Sequence, residues 1–123
     1  MILLDTHALL WLHLGHRNAR PLADVRGRLF ASPASLLELQ FLLEAGRIRL
    51  KRGADLATVA DDDRWAVDDP SATAWFERAR EVAWTRDPFD RLLVAHAAHR
   101  GWRLATADAK IRANLAARDC LAL

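Results

Sequence analysis

The chain has 123 residues, 52% of them hydrophobic and 28% charged, with a formal net charge of +2, and this predicts one globular domain over residues 1–123. The single cysteine, Cys120, excludes an internal disulfide, and neither a signal peptide nor a membrane span of roughly 20 apolar residues is visible, so we expect a cytoplasmic protein. All basic residues except Lys51 and Lys110 are arginine, which suits phosphate contact but is equally what a codon bias would produce.

Short apolar runs alternate with helical segments along the whole chain. The predicted strands are residues 1–4, 29–31, 65–67, 102–105 and 120–123. The predicted helices are residues 8–14, 21–28, 33–45, 54–60, 71–82, 88–100 and 108–117. Ser32 is typical of an N-cap and Gly46 of a helix end, while residues 48–52 fit either a strand or a loop. This alternation predicts an α/β fold with a mostly parallel sheet.

Two carboxylates directly follow predicted strands. Asp5 comes after the first apolar run, and Asp108 comes after the run that ends in Ala107. Functional groups of parallel sheets collect at the carboxyl ends of the strands, so we expect these side chains to lie close together. Two such carboxylates repel each other unless a proton or a cation lies between them, and Mg²⁺ prefers oxygen ligands. The pattern indicates a divalent-metal site.

Two further acids stand in apolar helical surroundings. Glu38 lies within a strongly apolar helix, where it either faces solvent through a polar strip or points into a polar pocket. Asp87 and Pro88 are typical of a helix start, with Asp87 as the N-cap. Asp90 follows in the first turn, where it fits a capping role and a metal-binding role equally well.

Four blocks of sequence closely resemble the PIN-domain ribonucleases, especially the VapC-type toxins of toxin–antitoxin modules. The first two blocks are LLDTHALLW at residues 3–11, and SLLEL at residues 35–39 followed by Gly46-Arg47-Ile48. The other two are RDPFDRLLVA at residues 86–95 and LATAD at residues 104–108. The blocks occur in the family's order and span nearly the whole chain, whereas residues 51–69 do not align with the family pattern.

The resemblance implies a three-layer α/β/α PIN fold and an endoribonuclease that depends on Mg²⁺ or Mn²⁺. The metal ligands and catalytic residues that it implies are Asp5, Glu38, Asp90 and Asp108. It further implies support from the hydroxyls of Thr6 and Thr106 and a capping or outer role for Asp87. A homodimer, an RNA substrate and an antitoxin protein that blocks the acidic cleft are also implied. As a separate hypothesis, Arg86 and Arg91 position the RNA backbone, because they flank Asp90 in sequence.

Two other functions remain open on the sequence. One is a non-catalytic PIN module that binds RNA or a partner protein, and the loss of one or more acids would favour it. The other is a phosphatase with Asp5 as nucleophile, but His7 stands where haloacid-dehalogenase-like enzymes carry a second acid.

The histidines and tryptophans give weaker signals. No His or Cys spacing indicates a zinc site. We expect His7 at a helix start, with substrate contact as the alternative, and His96 and His99 at the surface or an interface. Most of the five tryptophans are expected in the core or a dimer interface rather than stacked on RNA bases.

Overall fold

The computed structural model describes all residues from 1 to 123 and contains five strands and seven α-helices. The strands are β1 (Ile2–Leu4), β2 (Leu29–Ala31), β3 (Trp65–Val67), β4 (Arg103–Thr106) and β5 (Cys120–Ala122). The helices are α1 (Thr6–Leu14), α2 (Arg20–Ala23), α3 (Pro33–Glu44), α4 (Leu56–Ala60), α5 (Ala72–Arg80), α6 (Pro88–Arg100) and α7 (Ala109–Asn114). None of the helices is long and apolar enough to cross a membrane.

Every predicted strand is present, and the differences concern the helices. The helix predicted over residues 21–28 is wrong in extent, because α2 ends at Ala23 and Gly27 takes a φ of 134° before β2 begins. The last helix stops at Asn114 rather than at residue 117. Residues 48–52 form a loop, so the strand alternative is wrong. Helix α1 begins two residues earlier than predicted because the Asp5 side chain caps it.

The five strands form one parallel sheet in the order β3-β2-β1-β4-β5. Leu3 in the central strand β1 pairs with Phe30 of β2 on one side and with Leu104 of β4 on the other. All three residues of β1 are buried, which is why this strand is a continuous apolar run rather than an alternating one.

Helices cover both faces of the sheet. Ile2 and Leu4 point to one face and pack in a core formed with α1, α2 and α4. Leu3 points to the opposite face and packs with Val94 of α6 and Ile111 of α7. The alternation of side chains along β1 therefore feeds two cores, and the predicted three-layer α/β/α fold is confirmed.

The strand order places a crevice beside the central strand. The chain moves from β1 to β2 and β3 on one side, and returns to add β4 on the other side of β1. In parallel sheets, such a reversal opens a crevice beyond the carboxyl ends of the two strands that flank it. Asp5 follows β1 and Asp108 follows β4, so both residues stand at this crevice.

Candidate active site

An acidic cleft of about 430 Å³ lies at the carboxyl edge of the sheet. Its lining contains all five acids singled out in the sequence, from four separate parts of the chain. The lining residues are Asp5, Thr6, His7, Trp11, Glu38, Leu42, Arg47, Asp87, Asp90, Leu93, Ala107 and Asp108. The fold thus brings together the acids that the strand ends and the family resemblance grouped in the sequence.

Asp5 is the most buried acid of the cleft, with 6% of its surface exposed. As the N-cap of α1 it accepts a hydrogen bond from the backbone N–H of Ala8 at 2.7 Å. Burial raises the pKa of its carboxyl, while the Thr106 hydroxyl and the Ala8 N–H partly offset this, and the nearby Asp108 raises the pKa again. A buried carboxylate with one oxygen fixed by a cap presents its other oxygen in a constrained direction.

Asp108 is held in the same way at the next strand. It is the N-cap of α7 and accepts from the backbone N–H of Ile111 at 2.9 Å. Its own N–H donates to the hydroxyl of Thr106 at 3.0 Å. Thr106 is fully buried and acts on both acids, since its hydroxyl also lowers the pKa of Asp5. The two strand ends are therefore tied together by one threonine.

Glu38 lines the cleft from α3, so the pocket alternative is the one that the structure supports. Its half-buried carboxyl has a raised pKa, mainly because of burial, with a lowering contribution from the Thr6 hydroxyl and a raising one from Asp87. The hydroxyls of Thr6 and Ser35 in turn lie 3.3 Å apart and share a hydrogen bond. The α1 and α3 helices thus meet through hydroxyl groups beside the site.

Asp87 and Asp90 have separate roles at the start of α6. Asp87 is the cap, accepting from the N–H groups of Phe89 at 2.8 Å and of Asp90 at 3.2 Å. The carboxyl of Asp90 makes no cap and faces the cleft. Burial, then Asp87, then the other three acids of the cleft raise the pKa of Asp90 to about 7. Burial makes the largest contribution to this shift, and the neighbouring carboxylates add to it.

The donor atoms of the cleft fit a hard divalent cation in type. All its candidate ligands are carboxylate oxygens, which Mg²⁺ and Mn²⁺ prefer, and no cysteine lies among them. No three of the His, Cys, Asp and Glu side chains are grouped closely enough to hold a metal ion as they stand.

The arginine of the cleft is not one that the sequence analysis chose. Neither Arg86 nor Arg91 lines the cleft, and the Nε of Arg91 instead donates to the carbonyl of Thr85 at 2.8 Å. Arg47 lines it, because the chain reverses at Gly46, which has a φ of 68°, directly after α3. The Gly-Arg pair after an apolar helix was the signal in the sequence. His7 is an exposed residue of the first turn of α1 and also lines the cleft.

The expectation of a surface position for His96 is wrong. Its ring is fully buried, with Nδ1 at 3.0 Å from the Ser32 hydroxyl and Nε2 at 2.7 Å from the Asp68 carboxylate. Arg100 donates to the same carboxylate at 2.8 Å. Although the residue types resemble a hydrolase triad, the Ser32 hydroxyl is inaccessible and already caps α3. We call these four residues the balanced network, and it is structural.

Two tryptophans lie in the core, as expected. Trp65 donates through Nε1 to the carbonyl of Val59 at 2.9 Å, and Trp75 donates to the carbonyl of Leu92 at 2.7 Å. Trp11 differs, since it is half-buried and lines the acidic cleft beside His7, with 5.9 Å between the ring centroids. Cys120 begins β5 as a half-buried apolar residue.

Comparisons with known proteins agree with this architecture. The chain matches the model of the PIN domain over residues 2–114. A solved toxin–antitoxin complex from Klebsiella pneumoniae contains a chain of similar fold, with a TM-score of 0.70 and 18% identity, covering 98% of this chain and 96% of that one. The structure of FitAB bound to an IR36 DNA fragment gives a TM-score of 0.53 and 18% identity, over 88% and 85% of the chains. No sequence among the curated proteins matches significantly.

Proposed function

The chain belongs to the PIN domain family, and we propose that it is a divalent-metal-dependent endoribonuclease that hydrolyses RNA phosphodiester bonds. The observation that carries this proposal is the convergence of Asp5, Glu38, Asp90 and Asp108 on one cleft, with the pKa of Asp90 raised to about 7. Carboxylates so arranged cost free energy in the folded protein, and sites of this kind are where function outweighs stability.

The four acids would bind one metal site from different elements of the fold. Asp5 and Asp108, fixed by their caps, would hold Mg²⁺ or Mn²⁺ from the sheet edge, and Glu38 and Asp90 would hold it from α3 and α6. When bound, such a metal activates water and stabilises charge on a phosphodiester. The hydroxyls of Thr6 and Thr106 support the neighbouring carboxylates.

The other cleft residues position the substrate and the acids. Asp87 accepts two backbone hydrogen bonds and so fixes the first turn of α6. Because Asp90 lies in that turn, Asp87 also positions Asp90. Arg47 carries the one guanidinium that lines this cleft and supplies a donor for a phosphate oxygen. His7 lines the cleft beside these acids and lowers the pKa of both Asp5 and Glu38.

The biological setting is proposed by analogy with the structural neighbours. One neighbour is part of a toxin–antitoxin complex, so we propose that this chain acts as the toxin of such a pair and binds a cognate antitoxin protein. Residues 1–123 would act as one PIN domain, and a homodimer is the proposed assembly. Blocking of the acidic cleft by the antitoxin would then silence the nuclease.

The test is cleavage of defined RNAs with Mg²⁺ or Mn²⁺ by the wild type and by the Asp5→Asn and Asp90→Asn variants. We expect each variant to lose at least ~100-fold in kcat/KM, because removing a ligand forfeits about 3 kcal/mol of charge stabilisation. Asp63→Asn is the matched control, since Asp63 is exposed and outside the cleft.

Equal activity of all four proteins would contradict the catalytic assignment, and undiminished cleavage in excess chelator would contradict the metal dependence. If RNA binds with no cleavage under any metal condition, the chain is the non-catalytic PIN module instead.

A further inference from the structure

A dense group of cations follows α3. Arg47, Arg49, Lys51 and Arg52 fall within six residues, and no six-residue window outside this segment holds more than two lysines or arginines. All four side chains are exposed. We call these four residues the basic strip. Of these four residues, the proposed nuclease mechanism assigns a role only to Arg47.

The backbone of the basic strip is anchored although its side chains are exposed. Ile48 and Leu50 alternate with the cations and pack against the core that Ile2 and Leu4 form with α1, α2 and α4. The backbone N–H of Lys51 donates to Nε2 of the buried His13 at 3.1 Å. At the start of the segment, the N–H of Arg47 donates to the carbonyl of Leu42 at 2.9 Å. An anchored backbone presents the cations in a fixed order and lowers the entropy cost of binding.

None of the four cations is neutralised within the molecule. They form no salt bridge, and their side chains donate no hydrogen bond to any residue of the protein. The one acid of the adjoining groove, Asp55, is committed to capping α4 through the N–H of Thr58 at 2.8 Å. Four unpaired cations on one anchored segment are available to an anionic ligand.

The basic strip reaches the acidic cleft at Arg47. Arg47 lines the cleft itself, while Arg49, Lys51 and Arg52 line an open groove of about 730 Å³ beside the C-terminal half of α3. The cleft carries five acids, which repel a polyanion over roughly 8 Å at physiological salt. A phosphodiester chain therefore needs positive charge at the border of the cleft to reach the carboxylates.

We propose that the basic strip is the binding track for the phosphate backbone of the RNA, which enters the acidic cleft past Arg47. This rests on the proposed nuclease function and extends it to the path of the substrate. An acidic protein segment is the other ligand with suitable charge. RNA is favoured because Arg47 belongs to both the strip and the cleft, so a chain bound on the strip is delivered to the site of hydrolysis.

The experiment compares two charge-matched triple variants. The strip variant carries Arg49→Gln, Lys51→Gln and Arg52→Gln. The control carries Arg17→Gln, Arg20→Gln and Arg26→Gln, three exposed cations near the opposite edge of the sheet, after the C-terminal end of α1 and before β2. Both are made in an Asp90→Asn background, so that RNA is not consumed, and binding of a fluorescent single-stranded RNA is measured from about 50 to about 200 mM KCl.

We expect the strip variant to bind at least ~10-fold more weakly than the control, with its salt slope reduced by about 2, since each lost contact to single-stranded RNA removes about 0.7. In a chain that retains Asp90, the strip variant should cleave RNA with a raised KM and an unchanged kcat. If its affinity and salt slope equal those of the control, the proposal is overturned, and the strip is left to an acidic protein ligand.

The binding readout separates this proposal from the nuclease function. Strip-dependent RNA binding by a protein that cleaves nothing would support the track while the proposed catalysis fails. Cleavage with equal KM in the strip and control variants would overturn the track while the nuclease stands.

Discussion

Two polar regions share the carboxyl edge of the sheet, and they are built on opposite principles. The balanced network joins Ser32 after β2 and Asp68 after β3 to His96 and Arg100 of α6. The acidic cleft gathers carboxylates after β1 and β4. In the network each charge meets its opposite, whereas in the cleft the four other carboxylates all act to raise the pKa of Asp90.

The pKa shifts record this difference. Burial alone would raise the pKa of Asp68, but hydrogen bonds from Arg100 and then His96 more than reverse it, and the pKa is lowered. The pKa of His96 is also lowered, mainly by burial, so the neutral ring donates Nε2–H to Asp68 and accepts the Ser32 hydroxyl at Nδ1. Asp90, with no such partner, has its pKa raised to about 7.

One half of the sheet edge therefore stabilises the fold and the other half costs stability. Removing one partner of a buried pair leaves the other uncompensated, and an unpaired buried charge opposes folding. A site that must bind a cation cannot also neutralise its acids with arginine.

The largest expected change in the free energy of unfolding follows from a substitution in the balanced network. Asp68→Asn removes the only charged partner of Arg100 and the strong acceptor of His96 Nε2, and we expect the free energy of unfolding to fall by about 2 to 3 kcal/mol. The loss is below that of a fully buried pair because the Arg100 side chain remains 34% exposed. Urea unfolding at pH 7 measures it.

Asp62→Asn is the matched control for that change. Asp62 also receives two guanidinium hydrogen bonds, at 3.0 and 2.7 Å, but its partner Arg64 is 46% exposed, so the expected loss is below ~1 kcal/mol. Equal losses from the two substitutions would mean that burial of the network adds nothing to its stability.

In the cleft, we expect the loss of an acid to raise the free energy of unfolding rather than to lower it. Asp90→Asn removes a carboxylate that its neighbours repel, so in excess chelator at pH 7 the variant should be more stable than the wild type by about 1 kcal/mol, after allowing for screening at a half-buried group. Thermal unfolding with and without Mn²⁺ measures it.

Asp63→Asn should leave the stability unchanged both in chelator and with Mn²⁺, because this exposed acid does not line the cleft. Saturating Mn²⁺ should reverse the order of wild type and Asp90→Asn, since a ligand at a hundredfold excess over its Kd stabilises by about 2.7 kcal/mol. Destabilisation by Asp90→Asn in chelator would show that the acids of the cleft do not repel one another.

The two regions also differ in how far the sequence predicts them. Apolar runs, Gly46 and the capping acids predicted the strands and most helix ends, and strand ends together with the family resemblance grouped the acids of the cleft. The balanced network was missed because its hydrogen bonds join residues 28 and 64 positions apart. Nothing local to His96 distinguishes a buried ring from an exposed one. Arg47 was overlooked because its place depends on the turn at Gly46.

The smallest expected effect is a pair of opposing pH dependences. Because the folded-state pKa of Asp90 is raised, the folded protein binds more protons than the unfolded one between pH 3.8 and about 7, so this group makes stability fall as pH rises. The pKa of His96 is lowered from 6.5, so this group makes stability fall as pH drops below 6.5. The two slopes act against each other in the wild type.

Single variants separate the two slopes in urea unfolding with excess chelator. His96→Gln removes the acid-side loss, so the wild type should approach this variant in stability by about 0.5 kcal/mol per pH unit below 6.5, under the ceiling of about 1.4 for one proton. Asp90→Asn removes the opposing slope in the same assay. Parallel profiles for wild type and His96→Gln would mean that His96 stays neutral or stays charged across the whole range, and the balanced network would then be insensitive to pH.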